Sequence, residues 1–292
     1  MVAMAAYVFN ALYYAAWLFL LGAGLSIIYG LQRILNLAHG SLYAVGAFTA
    51  AWAVGLLIRL GFPPISWVIL LIVTGAAGAA VVGILIEPTL LRPIYKRAEE
   101  FQLLLTFGIL MIVEDVELMI WGPYPLDLKQ PYQYAGSTDL LGTTIPVYNV
   151  IVVVFGFLVA LGLWAFMYRT KLGIVIRAAA SNREVTSAIG YNVGSLYTQT
   201  FLIGCILAGA AGGIVVPSAS AQLGLGINVL VYAFVVVVIG GLGSMKGAFV
   251  GSLITGCVRA VGIVFFPELE LAILWVVAIV VLIFRPLGLW GR

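Results

Sequence analysis

The chain has 292 residues, of which 64% are hydrophobic and 9% are charged, with a formal net charge of +3 and a mean hydropathy of +1.18. Because a soluble domain is typically about 25% charged, this composition excludes a water-soluble globular protein and indicates a chain embedded in a membrane. The Lys and Arg residues lie in short connectors between apolar runs, a pattern typical of residues that orient membrane spans rather than bind nucleic acid.

The first apolar run covers residues 11–30 and has no Lys or Arg before it. A cleavable signal peptide needs a positively charged start and a short apolar stretch, so we expect a retained first span. The stretch that follows, 31–39 (LQRILNLAH), is too polar to cross as a lipid-facing helix. It predicts a broken or re-entrant segment, which a membrane permits only where protein covers the backbone or where the backbone lines a water-filled cavity.

Eight further apolar runs follow, and each is measured against the roughly 20 residues that a span requires. They cover 40–58, 65–86, 101–121, 146–168, 198–217, 229–244, 247–266 and 270–285. The glycine-rich stretch 240–247 (GGLGSMKG) is a second candidate for a re-entrant or broken segment, and 122–145 predicts an outer connector with a short hairpin. We therefore expect an all-α, polytopic transmembrane helical bundle with about eight to ten membrane elements, forming a single domain over 1–292.

Small residues recur four apart in several runs, which lets helix backbones approach closely in lipid. The sets are Gly75, Ala79 and Gly83; Gly204, Ala208 and Gly212; and Gly247 and Gly251. Cys205 and Cys257 both lie in apolar runs, where thiols behave as small hydrophobic groups. The chain has one histidine, no phosphate-binding loop and no nucleophile elbow, so we expect neither an enzyme nor a metal site.

Four charged residues lie within apolar runs, away from the run ends, where a charge must face protein or water. Glu114, Asp115 and Glu117 belong to the fourth run and Arg259 to the eighth. Helical spacing puts Glu114 and Glu117 on one face and directs Asp115 elsewhere. We predict an ion pair between these carboxylates and Arg259, or an outer vestibule; contact with the ammonium group of a solute is the alternative.

The connector 169–197 carries the densest pattern of the chain. Small and apolar residues alternate with polar ones between Gly173 and Gly190, which predicts one short amphipathic helix closed by glycine. Such a helix either lies on anionic lipid or docks onto a cytoplasmic partner.

The order of residues from Arg169 to Asn192 (RTKLGIVIRAAASNREVTSAIGYN) resembles the coupling-loop signature of branched-chain amino acid ABC permeases. Three other stretches agree with that family: 24–48, with its Asn-x-x-His-Gly element; 233–256, with its Gly-Gly-x-Gly segment; and 285–292 (RPLGLWGR). With Glu87 and Arg92-Pro93, the resemblance covers nearly the whole chain in order and is closer to the H-type permease subunit than to the longer M-type one.

The resemblance implies a heterodimer of two related permeases, two cytoplasmic ATPase subunits that bind ATP and Mg²⁺, and a periplasmic or extracellular solute-binding protein, with no cofactor in this chain. It implies that the internal loop couples to the ATPase, through residues Arg177, Ala179, Ala180, Asn182, Arg183, Ala188 and Gly190. Candidates for the translocation path are Gln32, Asn36, His39, Gly40, Gly240, Gly241 and Gly243. Alternatively, the polar side chains of Gln32, Asn36 and His39 only satisfy backbone hydrogen-bonding groups at a broken helix.

The resemblance implies a bacterial-type plasma (inner) membrane, and the basic residues predict how the chain is oriented in it. With nine spans and the N-terminus outside, 11 of the 14 Lys and Arg residues lie on the cytoplasmic side, so we expect a cytoplasmic C-terminus. They are Arg33, Arg92, Lys96, Arg97, Arg169, Lys171, Arg177, Arg183, Lys246, Arg285 and Arg292.

Two alternatives stay open at this point. Relatives in the family carry urea, short amides or small aromatic and organic acids, and a single sequence does not choose among these and branched-chain amino acids. A different class, an ATP-independent channel or secondary transporter, shares the polar breaks and glycine-rich spans. An internal docking helix favours the ATP-driven importer, because a passive channel has no use for one.

Overall fold

The computed structural model describes residues 2–95, 97–140 and 142–291, so that Lys96 and Arg292 of the basic set lie outside the described residues. The helices and strands are α1 (Val2–Gln32), α2 (His39–Arg59), α3 (Trp67–Ile86), α4 (Glu99–Trp121), α5 (Gln130–Ala135), β1 (Ser137–Leu140), β2 (Thr143–Pro146), α6 (Val147–Arg169), α7 (Lys171–Ser181), α8 (Arg183–Ala188), α9 (Val193–Val215), α10 (Leu225–Gly240), α11 (Met245–Phe265) and α12 (Glu270–Phe284). Between α3 and α4 the chain makes a π-helical turn (Glu87–Leu91) and a 3-10 turn (Arg92–Ile94).

Each of the nine apolar runs coincides with one of these helices, which confirms the predicted all-α membrane bundle. Seven helical segments of the described residues are long and apolar enough to cross a membrane. The two other runs fall on α10, which has 16 residues, and on α4, which has 23 residues but carries three carboxylates in its second half. The hairpin predicted within 122–145 is also present, as β1 pairs antiparallel with β2 from Ser137↔Pro146 to Leu140↔Thr143.

Contacts define two ends of the bundle. At the hairpin end, which carries α5, β1 and β2, Phe48 of α2 stacks on Trp121 at the end of α4, with ring centroids 5.2 Å apart. There Tyr148 of α6 also donates a hydrogen bond to the Ile214 carbonyl of α9 (2.8 Å). At the opposite, α7 end, Leu31 of α1 shares a cluster with Met167 of α6 and with buried residues of α7 and α9. Successive long helices therefore run in alternate directions between the two ends.

Glycine brings the central helices into backbone contact, as the four-residue spacing predicts. A Cβ atom on Gly209 of α9 would lie 2.5 Å from the Cβ atom of Ala79 in α3, and one on Gly83 would lie 3.1 Å from Cβ of Cys205. A Cβ atom on Gly46 of α2 would lie 2.8 Å from the carbonyl carbon of Gly209. Helices α2, α3 and α9 therefore form a tightly packed centre that admits no side chain at these positions.

The first break is present, whereas the second is a plain turn. Helix α1 ends at Gln32, residues 33–36 are not helical, and Arg33 has a φ of 55°, in the left-handed region. The stretch 240–247 is not re-entrant: it connects α10 to α11 at the α7 end, because Gly241 and Gly243 have φ values of 104° and 77° and reverse the chain within a few residues. Of the two expectations for 240–247, the re-entrant segment is therefore wrong, whereas a break between two helices is present.

Candidate functional site

The polar break after α1 folds back into the bundle. Its His39 Nε2 lies 3.0 Å from the Leu21 carbonyl oxygen, eleven residues before the end of α1 at Gln32. At about 1.5 Å of rise per residue, α2 therefore begins roughly 16 Å inside that end of the bundle. Gly40 follows, so close to the Gly226 carbonyl of α10 that a Cβ atom would lie 2.9 Å from the Gly226 carbonyl carbon.

The side chains of this break are buried and bonded mainly to backbone. Asn36 is 1% exposed, and its Oδ1 accepts a hydrogen bond from the Ala38 N–H (3.1 Å). Gln32, 5% exposed, donates from Nε2 to the Tyr197 carbonyl of α9 (3.0 Å). Asn36 precedes α2 and is not helical, so its three-residue spacing from His39 does not put the two side chains on one helix face. These bonds favour a backbone-satisfying role, and a place on a translocation path stays a prediction.

The glycines after α10 are packed closely. A Cβ atom on Gly241 would lie 2.8 Å from the Gly291 Cα atom, and one on Gly243 would lie 3.0 Å from the Gly30 Cα atom. Gly240 meets the Gly247 carbonyl of α11, and its own carbonyl accepts a hydrogen bond from the Trp290 N–H (2.9 Å). In this conformation Gly240, Gly241 and Gly243 therefore join α10 to α1, α11 and the segment after α12, and their place on a path is likewise still a prediction.

The internal connector forms two helices, α7 and α8, where one was expected. Asn182 separates them: its backbone is extended (φ −151°, ψ 107°), and its side-chain oxygen accepts a hydrogen bond from the Val185 N–H (3.0 Å). Asparagine is among the best helix N-caps because its oxygen binds a free N–H of the first turn. The same device starts α7 at Thr170 and α9 at Asn192. Gly190, with a φ of 95°, ends the α7–α8 segment (171–190).

Two arginines fasten the α7–α8 segment to the bundle. Arg177 donates from Nε to the Met167 carbonyl (3.0 Å), and its guanidinium lies 4.4 Å from the ring centroid of Tyr168. Arg183 donates to the Leu31 carbonyl at the end of α1 (2.7 Å) and lies 5.6 Å from the ring centroid of Tyr197. Both residues thus act as anchors within this chain.

The predicted coupling residues divide between two faces. Ala179 is fully buried against the bundle, and Ala180 is half-buried. Asn182, Ala188 and Gly190 are exposed, together with Val185 (56% exposed) and Ile189 (66% exposed). Val185 of α8 and Ile189 directly after it therefore present apolar side chains away from the bundle. The exposed Glu184 and Ser187 lie beside them, and the sequence pattern did not predict on which side of the segment the apolar pair lies.

Arg259 of α11 pairs with Glu270 of α12, and the predicted pairing with the α4 carboxylates is wrong. Its Nε lies 2.7 Å from Glu270 Oε1, and each side chain is 17% exposed. Glu270 is 11 residues further along the chain, where a 3-10 turn and the start of α12 return it to α11. On α4, Glu117 is 3% exposed while Asp115 is exposed and Glu114 is half-buried, so the three do not share one environment.

Sequence reasoning missed the role of Glu87 in this architecture. It is fully buried at the end of α3, and it accepts hydrogen bonds from the Tyr95 hydroxyl (2.9 Å) and the Thr198 hydroxyl of α9 (2.6 Å). A lone carboxylate directly before a proline in the run ILIEPTLL was the available signal.

The comparisons with known proteins agree on one family. The family described as "branched-chain amino acid transport system / permease component" matches residues 7–282. The chain is 29% identical over 291 residues to the high-affinity branched-chain amino acid transport system permease protein BraD of Pseudomonas aeruginosa, covering 94% of this chain and 91% of that protein. It is 25% identical over 299 residues to the corresponding permease protein LivH of Escherichia coli strain K12, covering 97% and 94%. No solved structure matches.

Proposed function

The chain belongs to the family of branched-chain amino acid transport permease components, and from that premise we propose that it is one permease subunit of an ATP-driven importer. In this proposal it forms half of the route for a branched-chain or another small amino acid across a bacterial-type plasma membrane. A second, related permease forms the other half. Two cytoplasmic ATPase subunits bind ATP and Mg²⁺, and a separate binding protein delivers the solute from outside.

The outward face of the α7–α8 segment carries this proposal. Val185 and Ile189 are both more than half exposed, although α8 is only six residues long and capped at both ends. An apolar patch held out in this way is typical of a surface that another protein covers. The segment is also anchored to α1, α6 and α9 through Arg177 and Arg183. A displacement of α8 is therefore transmitted to the helices of the bundle.

A substitution on this face tests the docking step. We expect Ile189→Asp to reduce capture of the co-expressed ATPase subunits by the purified permease pair at least about tenfold, because a buried interface hot spot is worth about 2 kcal/mol or more. The matched control is Ile65→Asp, since Ile65 is 86% exposed in the 3-10 turn at the hairpin end.

The results divide cleanly. Equal capture of the ATPase by the two variants would contradict docking at α8 and leave the segment as an interfacial helix on lipid. Solute uptake into vesicles that hold the chain without ATP would identify an ATP-independent transporter instead.

The solute is tested separately, with the reconstituted complex and its binding protein. We expect leucine, isoleucine or valine to stimulate ATP turnover, and urea, acetamide and benzoate to serve as the competing classes. Stimulation of ATP turnover by only one of those three solutes would support the importer proposal and contradict the assignment of a branched-chain amino acid as its substrate.

A further inference from the structure

Glu87 is a buried carboxylate whose two oxygens are each taken by a hydroxyl group. It is fully buried; Oε1 accepts from Tyr95 (2.9 Å) and Oε2 from Thr198 (2.6 Å). Among the described residues no ion pair to Glu87 is formed. Hydrogen bonds to a charged group are stronger than those between neutral groups, and leaving a buried carboxylate without them is costly. The carboxylate therefore holds Tyr95 and Thr198 firmly in place.

The local sequence brings Tyr95 back to Glu87. Helix α3 ends at Ile86, and Pro88 has no N–H to continue a regular α-helical ladder, so the chain widens into the π-helical turn Glu87–Leu91. The 3-10 turn Arg92–Ile94 then tightens it again. Tyr95 thereby lies eight residues after Glu87 and still reaches its side chain.

Thr198 is the neighbour of Tyr197, which contacts several elements at the α7 end. Tyr197 lies under the Arg183 guanidinium (5.6 Å) and accepts from Gln32 on its carbonyl (3.0 Å). The Tyr197 ring also meets the Tyr95 ring edge to face, with centroids 5.1 Å apart. A shift of α8 is therefore felt at Tyr197, and Glu87 holds the next residue of α9.

Beyond this point α3 and α9 are packed too closely to slide. Gly83 meets Cys205, and Gly75 lies against Gly209 and Gly213, so that a Cβ atom on Gly75 would lie 3.0 Å from the Gly213 Cα atom. Close-packed interfaces of this kind move as bodies rather than deform. The hydrogen bond that Thr198 donates to Glu87 joins α9 to the end of α3 at the α7 end of this interface.

From these contacts we propose that Glu87 is a positioning residue for energy coupling. It locks the first turns of α9 to the end of α3, so that a displacement of the α7–α8 segment moves α3 and α9 together. The inference rests on the proposed function, because it assigns to Glu87 the step after an ATPase has docked. Without the lock, docking and ATP hydrolysis continue, but the first turns of α9 shift without the end of α3. The displacement then does not reach the close-packed α3–α9 interface, and solute movement no longer follows.

The test measures solute transported per ATP hydrolysed by the full reconstituted complex. We expect Thr198→Ala to lower this ratio at least about fivefold, the lower end of typical coupling between sites, and Thr198→Ser to restore it because the hydroxyl returns. Glu87→Gln should lower the ratio as well, because the Gln amide group directs an N–H at one of the two hydroxyls, which donates to the carboxylate in the wild-type chain. Tyr95→Phe removes one hydroxyl and keeps the ring on Tyr197, and should give an intermediate ratio.

Thr200→Ala is the matched control. Thr200 lies on α9 two residues further on, is fully buried, and has no hydrogen-bond partner among the described residues, so its loss should leave the ratio at the wild-type value. An unchanged ratio in Thr198→Ala and Glu87→Gln would overturn the inference. So would a parallel fall of ATPase capture, hydrolysis and transport at constant ratio, which is the result of a purely structural role. Failure of the wild-type chain to bind any ATPase would instead contradict the proposed function.

Discussion

Arg259 is the residue whose surroundings explain most about charges inside this bundle. Its guanidinium lies 4.2 Å from the ring centroid of Tyr232 and 4.7 Å from that of Tyr14, and its Nε is 2.7 Å from Glu270. Tyr232 also donates its hydroxyl to Glu270 (3.0 Å). Aromatic faces attract a cation, so the arginine is neutralised by one carboxylate and surrounded by ring faces. This arrangement joins α1, α10, α11 and α12 near the hairpin end.

Removing one partner of this pair leaves a largely buried charge alone. We expect Arg259→Ala to lower the free energy of unfolding by a few kcal/mol, about 3 where the site stays dry, with the preference among solutes unchanged. The measurement is the apparent Tm of the purified chain in detergent, combined with competition of solutes for transport. Glu270→Gln should have a similar effect, and the double variant less than the sum of the two, because the pair is then removed together. A changed solute preference at unchanged Tm would place Arg259 on the path instead.

At the scale of elements, glycine decides which helices touch. Gly209 of α9 faces Gly75 and Ala79 of α3 at backbone distance, whereas an added Cβ on Gly162 of α6 or Gly108 of α4 would have no atom within 4 Å among the described residues. The same residue type therefore serves close packing in the centre and nothing specific at the periphery.

This contrast gives a prediction with an internal control. Gly209→Ala should destabilise the chain by about 1–3 kcal/mol, because the added methyl overpacks the α3 interface. Gly162→Ala and Gly108→Ala should be neutral or stabilising by up to about 1 kcal/mol, since alanine favours the helix over glycine. Thermal unfolding followed by size-exclusion chromatography ranks the three variants. Equal Tm values for Gly209→Ala and Gly162→Ala would contradict the packing argument.

The nine apolar runs were predictable because a span is a property of composition and length, and neither depends on tertiary contacts. The amphipathic pattern of 173–190 was likewise visible, but the break at Asn182 was not, because a capping asparagine in a helical pattern differs from an exposed one only by its backbone angles. The partner of Arg259 was misassigned for a related reason. Glu270 reaches it through a turn at Pro267–Leu269, and no spacing rule for a single helix foresees that.

The polar break and the buried Glu87 mark the limit of sequence reasoning on the site. Gln32, Asn36 and His39 were recognised as unusual for a span, but their partners are the carbonyl or N–H groups of Tyr197, Ala38 and Leu21. Two of these three belong to other parts of the fold, and any residue type supplies such groups. The polar side chains therefore predict that the helix is broken, but the sequence does not predict which backbone groups they bind.

At the scale of the whole molecule, the described charges are divided between the two ends. Nine of the eleven basic residues assigned to the cytoplasm are described, and they lie on the elements that meet at the α7 end, while Arg59 and Lys129 lie near the hairpin end. An excess of Lys and Arg marks the cytoplasmic side of a membrane protein. We therefore expect the α7 end, with α8 and the segment after α12, to face the cytoplasm, and the hairpin of β1 and β2 to face outward.

Cysteine accessibility tests this orientation directly. In a Cys205→Ala, Cys257→Ser background, Lys129→Cys at the hairpin end should react with a membrane-impermeant maleimide added to intact cells, because Lys129 is exposed. Glu100→Cys, in the first turn of α4 at the α7 end and exposed, should react only after the cells are permeabilised, at least about tenfold faster than before, since the bilayer otherwise separates it from the reagent. Uptake of solute by each variant shows that the assembly is intact. The reverse labelling pattern would turn the molecule over, and because the α8 face would then lie outside the cell, it would also remove the ATPase from the proposed mechanism.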